Sequence, residues 1–283
     1  HKDMLECVFW GLGGDGTIGA NKNSIKIIGN NTGLGVQGYF SYDSKKSGGV
    51  TVSYLRFGEG DIRSAYLIQR PEFVACHNES YVLKYDMISG MKQGGVFLLN
   101  CEWDVSELDE KLPDDMKYQI AMKKLDFYII NAVHTGKEIG INGKINTILQ
   151  SAFFKIVCDR YAKKYGLMSY EEAVGYMKEA ARASYEVKGQ KIVEMNYRAI
   201  ELGGERLVHV TVPENWRECP DKPVKRPSTM FQDRECVMEY VENLQAFVNA
   251  HKGDELPVSA FLPYADGRQP SGTSAHEKRD FAV

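Results

Sequence analysis

Apolar positions along the first 211 residues fall into two periods. Short runs rich in Val, Ile, Phe and Tyr, bounded by Gly, Asp or Pro, predict strands. They lie at Glu6–Trp10, Val36–Tyr42, Val50–Arg56, Ala65–Ile68, Phe73–Cys76, Gly95–Asn100 and Leu125–Asn131. Between them, helical spacing predicts helices at Ile18–Ile28, Val105–Leu112, Asp114–Lys124 and Ile145–Tyr165, the last with an Ile148, Phe153, Ile156 stripe. Ser169–Ala183 opens on Ser169 followed by Glu172, the pattern of a capping box. Strands alternating with helices need a sheet covered on both faces. The runs at 36–42, 50–56 and 65–68 are too close for helical crossovers, so antiparallel pairs are expected. The fold class is therefore α/β: a three-layer α/β/α domain with a mixed sheet.

The pattern lapses near residue 212. Seven of the nine prolines lie beyond it, whereas 13 of the 27 glycines fall in the first 60 residues. Proline fixes φ and removes a donor, so the clustering marks loop and linker. The expected division is a domain at 1–211 and an extended, mostly irregular connector at 212–283 with one helix, Asp233–His251. The connector holds too little apolar material to fold alone and is expected to lie on another surface.

Composition narrows the class. The chain is 43% hydrophobic and 26% charged, which excludes bulk disorder. No apolar run reaches about 18 residues, so no spanning helix is expected. A net charge of -3 gives no sign of a nucleic-acid partner. No signal peptide is evident, although a chain opening His-Lys-Asp-Met leaves a removed leader, or excision from a longer protein, open. The six cysteines form no C-x-x-C pair, which removes support for zinc ribbons, dithiol motifs and iron–sulfur cassettes. They read as small buried hydrophobes in a reducing, cytoplasmic setting.

The sharpest local feature is the strand at Cys7–Trp10 running into Gly11-Leu12-Gly13-Gly14-Asp15-Gly16 and then a helix. Three readings stay open. One is a G-x-G-x-x-G dinucleotide turn, with Asp43 for the ribose. Asp43 is slightly far along the chain for that role, and Asp15 places a carboxylate where a phosphate would sit. A second is a thiamine diphosphate–magnesium motif, Gly14-Asp15-Gly16 to Asn30-Asn31, whose spacing is short. The third is a tight turn without a ligand.

Two further loops add charge. Lys45 and Lys46, between Asp43 and Gly48-Gly49, suit a phosphate clamp or a solvated hairpin. Lys144 follows Gly143 at a helix start, where a cation opposes the dipole unless it faces an anion. Asn146 and Gln150 share one helix face. His77, at a strand end, suits an acid, a base or a structural group. His134, His209 and His251 show no metal spacing. No complete catalytic constellation assembles.

Taken together, WGLGGDGTIGANKNSIKIIG, QGYFSYDSKKSGGVTVSYLRFG, CHNESYVLKYD, GGVFLLN and GKINTILQSAFFK resemble the central, gamma-subunit-like part of single-chain pyruvate:ferredoxin (flavodoxin) oxidoreductases. Glu277-Lys278-Arg279 resembles the family's connector, which leads to a ferredoxin-like domain. The resemblance implies a parent enzyme, of which this chain is one part, that oxidatively decarboxylates pyruvate on thiamine diphosphate with magnesium. It implies electrons passing through [4Fe–4S] clusters to ferredoxin or flavodoxin, a homodimeric parent, and acetyl transfer to coenzyme A. The thiamine and cluster sites are expected on other domains of the parent, and the fragment is expected to be inactive by itself. The expected coenzyme A surface comprises Gly13, Gly14, Asp15, Gly16, Thr17 and Asn21 around the turn, with Lys45, Lys46 and Lys144 meeting phosphates and Asn146 hydrogen-bonding ligand or loop.

Overall fold

The computed structural model describes residues 4–43, 49–141, 145–220 and 233–276. Seven strands form one mixed sheet in the order β2-β3-β1-β4-β5-β6-β7. They are β1 (Met4–Leu12), β2 (Leu34–Tyr42), β3 (Val50–Glu59), β4 (Phe73–Cys76), β5 (Val96–Asn100), β6 (Asp126–Ile130) and β7 (Val208–Val210). The main helices are α1 (Thr17–Asn31), α2 (Leu108–Lys111), α3 (Asp114–Met122), α4 (Ala132–Glu138), α5 (Asn146–Tyr165), α6 (Tyr170–Tyr185) and α7 (Gln190–Glu205). β1 pairs with β4 in parallel and with β3 antiparallel, while β2–β3 forms an antiparallel pair. The chain thus changes direction at β1, the place where open sheets leave a crevice beyond their carboxyl ends.

Strand alternation builds two cores. Leu5, Cys7 and Phe9 face one side, where Phe153, Ile156 and neighbours from α1, α5, α6 and α7 cover them. Val8 and Trp10 face the other, packed with Phe97, Phe127, Ile120 and Trp216. Phe9, Phe73 and Phe153 meet with ring centroids 5.1–5.6 Å apart. The capping box of α6 is complete: Ser169 Oγ accepts from Glu172 N–H and Glu172 Oε2 accepts from Ser169 N–H.

Several elements depart from expectation. Residues 65–68 form no strand. Their neighbourhood is held by side chains instead: Arg56 Nη2 donates to Tyr66 O, Gln37 Nε2 donates to Ser64 O, and the guanidinium lies over the Tyr66 ring. Both edges of β1 are already occupied by β3 and β4. The helix expected at Val105–Leu112 divides into a 3-10 turn, Val105–Glu107, and the single turn α2. The pattern did not announce β7 or α7. β2 forms one edge of the sheet; its nine residues carry no charge and no proline, and Tyr39 and Tyr42 are exposed.

Past residue 211 the chain folds onto the second core. Trp216 is 1% exposed, and its Nε1 donates to Asp109 Oδ1 at 2.8 Å. Further on, the helix expected at Asp233–His251 forms over 235–249 as α8 (Glu235–Tyr240), a π turn (Val241–Gln245) and α9 (Ala246–Asn249) in unbroken succession. His251, at φ 59°, sets its ring against Trp10 and Tyr85, and Lys252 pairs with Asp86 at 3.5 Å. Arg234 Nη2 donates to Ser271 O, and His276 contacts Asp233, tying the two ends of 233–276 together.

Trp216→Ala is expected to cost about 3–5 kcal/mol, because a large buried ring and its hydrogen bond are lost together. Urea unfolding measures this; a loss below about 1 kcal/mol would show that the segment is not part of the core.

Candidate functional site

The glycine turn lies where β1 ends. Gly14 and Gly16 adopt φ of 93° and 88°, which side chains with a Cβ rarely tolerate. A Cβ on Gly11 would come within 2.7 Å of Thr17 Oγ1, so glycine there lets the threonine pack against the strand. Two backbone bonds close the turn: Gly13 N–H donates to Gly49 O at 2.8 Å, and Asp15 N–H donates to Leu12 O at 3.0 Å.

Asp15 fills its interior. Oδ1 accepts from Thr17 N–H at 2.7 Å; Oδ2 accepts from Leu12 N–H at 2.9 Å and from the Thr17 hydroxyl at 2.8 Å. Thr17 Oγ1 also lies 2.7 Å from His77 Nδ1. A carboxylate only accepts, so the single hydroxyl proton goes to Asp15 and Nδ1 of His77 must carry its own proton.

This contact starts a chain across the sheet. His77 N–H donates to Trp10 O at 2.8 Å, Asn100 Nδ2 donates to His77 O at 2.9 Å, and Ala132 N–H donates to Asn100 Oδ1 at 3.0 Å. The carboxyl ends of β1, β4, β5 and β6 are joined in one line. His77 is 7% exposed. Burial pushes its imidazole down to about 4, against a weaker upward pull from Asp15, so the ring is neutral near pH 7. The sequence offered His77 as a candidate acid, base or structural group; the structure places it second in line behind the glycine turn.

The structure brings Gly13, Gly14, Asp15, Gly16 and Thr17 to the start of α5. A Cβ on Gly16 would lie 3.0 Å from Asn146 Cγ. One turn on, Gln150 Nε2 donates to Ala20 O and Ser24 Oγ, stitching α5 to α1. Asn21, 4% exposed on α1, has an Nδ2 with no partner among the described residues. A cavity of about 260 Å³ opens beside Asn146, lined also by Thr147, Tyr185 and Lys188. Lys188 had no motif to mark it. Lys45, Lys46 and Lys144 lie outside the described residues. The ends of their loops are described: Gly49 bonds Gly13, and Ile145 immediately precedes Asn146.

Two of the readings lose their geometry. Asn31 sits at the far end of the 15-residue α1, roughly 20 Å from Asp15, and its Nδ2 donates to Ile27 O. A shared magnesium site with Gly14-Asp15-Gly16 is therefore not formed. A dinucleotide unit needs β1 and β2 adjacent, yet β3 lies between them and separates Asp43 from the turn's own strand. Among the described residues no group of three or more His, Cys, Asp or Glu gathers as metal ligands would. Cys7, Cys76, Cys101 and Cys158 are buried, and burial pushes the thiols of the last three up to about 12, against thiolate ligation. His134 pairs with Glu138 on α4, and His209 lies against Tyr128. Among the described residues no helix is long and apolar enough to cross a membrane.

The family model for pyruvate ferredoxin/flavodoxin oxidoreductase matches residues 6–206. The chain belongs to the pyruvate ferredoxin/flavodoxin oxidoreductase family. A second model, for a domain of unknown function designated EKR, matches residues 230–282. The pyruvate-flavodoxin oxidoreductase of Enterobacter agglomerans is 48% identical over 280 residues, 98% of this chain and 22% of that protein. The pyruvate:ferredoxin oxidoreductase of Moorella thermoacetica is 47% identical over 282 residues, 100% of this chain and 23% of that protein. The chain thus spans under a quarter of the curated oxidoreductases it matches. Among solved structures, pyruvate oxidoreductase subunit PORC of Thermotoga maritima is similar in fold, with a TM-score of 0.56 and 18% identity over 75% of this chain and 100% of that one.

The folded His77 ring takes a proton only near pH 4, whereas an unfolded histidine takes one near 6.5. Its stabilising contribution is complete above about pH 6.5 and is lost as pH falls towards 4. Urea unfolding at a series of pH values should show this decline, flattened in His77→Gln; parallel profiles for the two proteins would refute it.

Proposed function

We propose that this chain is one module of an enzyme that oxidatively decarboxylates pyruvate to acetyl-CoA and CO2, with electrons passing to ferredoxin or flavodoxin. The observation that carries the reading is the alignment of the whole chain, at 47–48% identity, with under a quarter of oxidoreductases named for that chemistry. The module's part is to help hold coenzyme A; it is not catalytic alone. Thiamine diphosphate with its magnesium and the [4Fe–4S] clusters belong to other domains of the parent. The parent acts as a cytoplasmic homodimer, and those other domains are this module's immediate partners.

Coenzyme A carries a pyrophosphate and a 3′-phosphate and needs both cations and backbone donors. Lys45, Lys46 and Lys144 supply the cations on loops whose ends meet the glycine turn and the start of α5. Gly14 and Gly16 bear backbone N–H groups that have no acceptor among the described residues. Leu12, Gly13 and Thr17 have theirs engaged already, so the phosphates belong on the outer rim of the turn and the lysine loops. Asn146 and Lys188 border the adjoining cavity, whose other lining side chains include Ile141, Ile192 and Met195. The NAD reading has less support, because β3 interrupts its strand pair.

Calorimetric titration of coenzyme A into the chain, with dephospho-coenzyme A and NADH as controls, tests this reading. Binding should weaken without the 3′-phosphate and again in Lys45→Ala/Lys46→Ala. Absence of heat from coenzyme A would remove this ligand from the module.

A further inference from the structure

We propose that Asp15 is an anion the protein carries in place of a ligand phosphate, and that it makes the interior of the glycine turn refuse phosphoanions. A glycine-rich turn between a strand and a helix ordinarily directs free N–H groups at a pyrophosphate. Here the N–H groups of Leu12 and Thr17 and the Thr17 hydroxyl converge on one carboxylate at 2.7–2.9 Å. Bonds to an ionised acceptor are roughly twice as strong as neutral ones. The next donor, Gly13 N–H, is held by Gly49 O.

The carboxylate is also fixed in place. Its bond from Thr17 depends on the hydroxyl pointing one way, and the Nδ1 proton of His77 enforces that direction by donating to the same oxygen. His77 is in turn held through its own backbone N–H and carbonyl, by Trp10 and Asn100. Swinging Asp15 aside would break three bonds and disturb this chain. A phosphate entering the turn would instead meet a full negative charge at short range. The sequence fingerprint for a dinucleotide is therefore present while the site it signals is filled from within. Asp15 is a specificity-determining residue, and the class it excludes is free phosphate, pyrophosphate and dinucleotides bound through the turn.

This inference concerns the turn interior alone and stands whether or not coenzyme A binds the lysine loops. Its test is made in the full chain carrying Lys45→Ala/Lys46→Ala, so that loop binding does not mask the result. Inorganic phosphate and formate are titrated into that protein and into its Asp15→Ala and Asp15→Asn derivatives at constant ionic strength, with chloride as control. Thermal unfolding and calorimetry are the readouts. Asp15→Ala should bind phosphate about tenfold tighter or more than the parent, through the freed donors and the lost repulsion. Its lowered melting temperature should recover by several degrees in formate, which replaces the missing carboxylate, whereas the parent should not respond. Folding of Asp15→Ala only in formate would also support the proposal. Asp15→Asn keeps the shape without the charge and should gain phosphate affinity. If neither variant gains phosphate or formate binding, or if the parent already binds phosphate as tightly, the proposal fails.

Discussion

Parallel strands ending inside a sheet leave polar groups that must be satisfied without water, and here one line of hydrogen bonds does this for four strands. It runs from Asp15 through Thr17 and His77 to Asn100 and the start of α4. The Asp15 and Asn100 side chains bond backbone, and between them the Thr17 hydroxyl and the His77 ring join side chain to side chain. The left-handed glycines, the direction of α1 and the approach of α5 all follow from where this line holds the turn. His77 is kept neutral by its burial, and its Nδ1 proton fixes the direction of the Thr17 hydroxyl within this line.

The strand pattern was legible wherever the core is two-sided. β4 and β5 are near-continuous apolar runs and β1 and β6 nearly so, because both faces are covered, whereas β3 sets Thr51, Ser53 and Arg56 between its apolar positions. α6 was legible through Ser169 and Glu172, whose reciprocal bonds leave a trace in the sequence. β7 was not, because three residues with two exposed positions carry too little pattern. α7 begins after Gly189 with no side-chain cap, so its start left no chemical mark. Residues 65–68 misled in the opposite sense. Ile68 serves the second core and Tyr66 lies against the Arg56 guanidinium, long-range contacts invisible to local reading.

The site was legible as a place rather than as a function. Spacing identified the turn, and it left open two imperfectly matched ligands and a turn without one. Two were separated only by tertiary facts: β3 inserted beside β1, and a helix length between Asp15 and Asn31. Asp15 was noticed as an unfavourable charge, but its partners could not be known before Leu12, Thr17 and His77 were seen together. A motif thus records backbone geometry, while the side chain within it decides what that geometry accepts.

β2 carries a different consequence. Proteins usually guard a long outer strand with lysine, proline or a bulge. The nine residues from Leu34 to Tyr42 have neither lysine nor proline, they present exposed Tyr39 and Tyr42, and among the described residues β2 pairs with β3 alone. An outer strand of this kind is a template for pairing with another strand. Among the described residues, this margin of the sheet carries the fewest of the usual guards against strand addition.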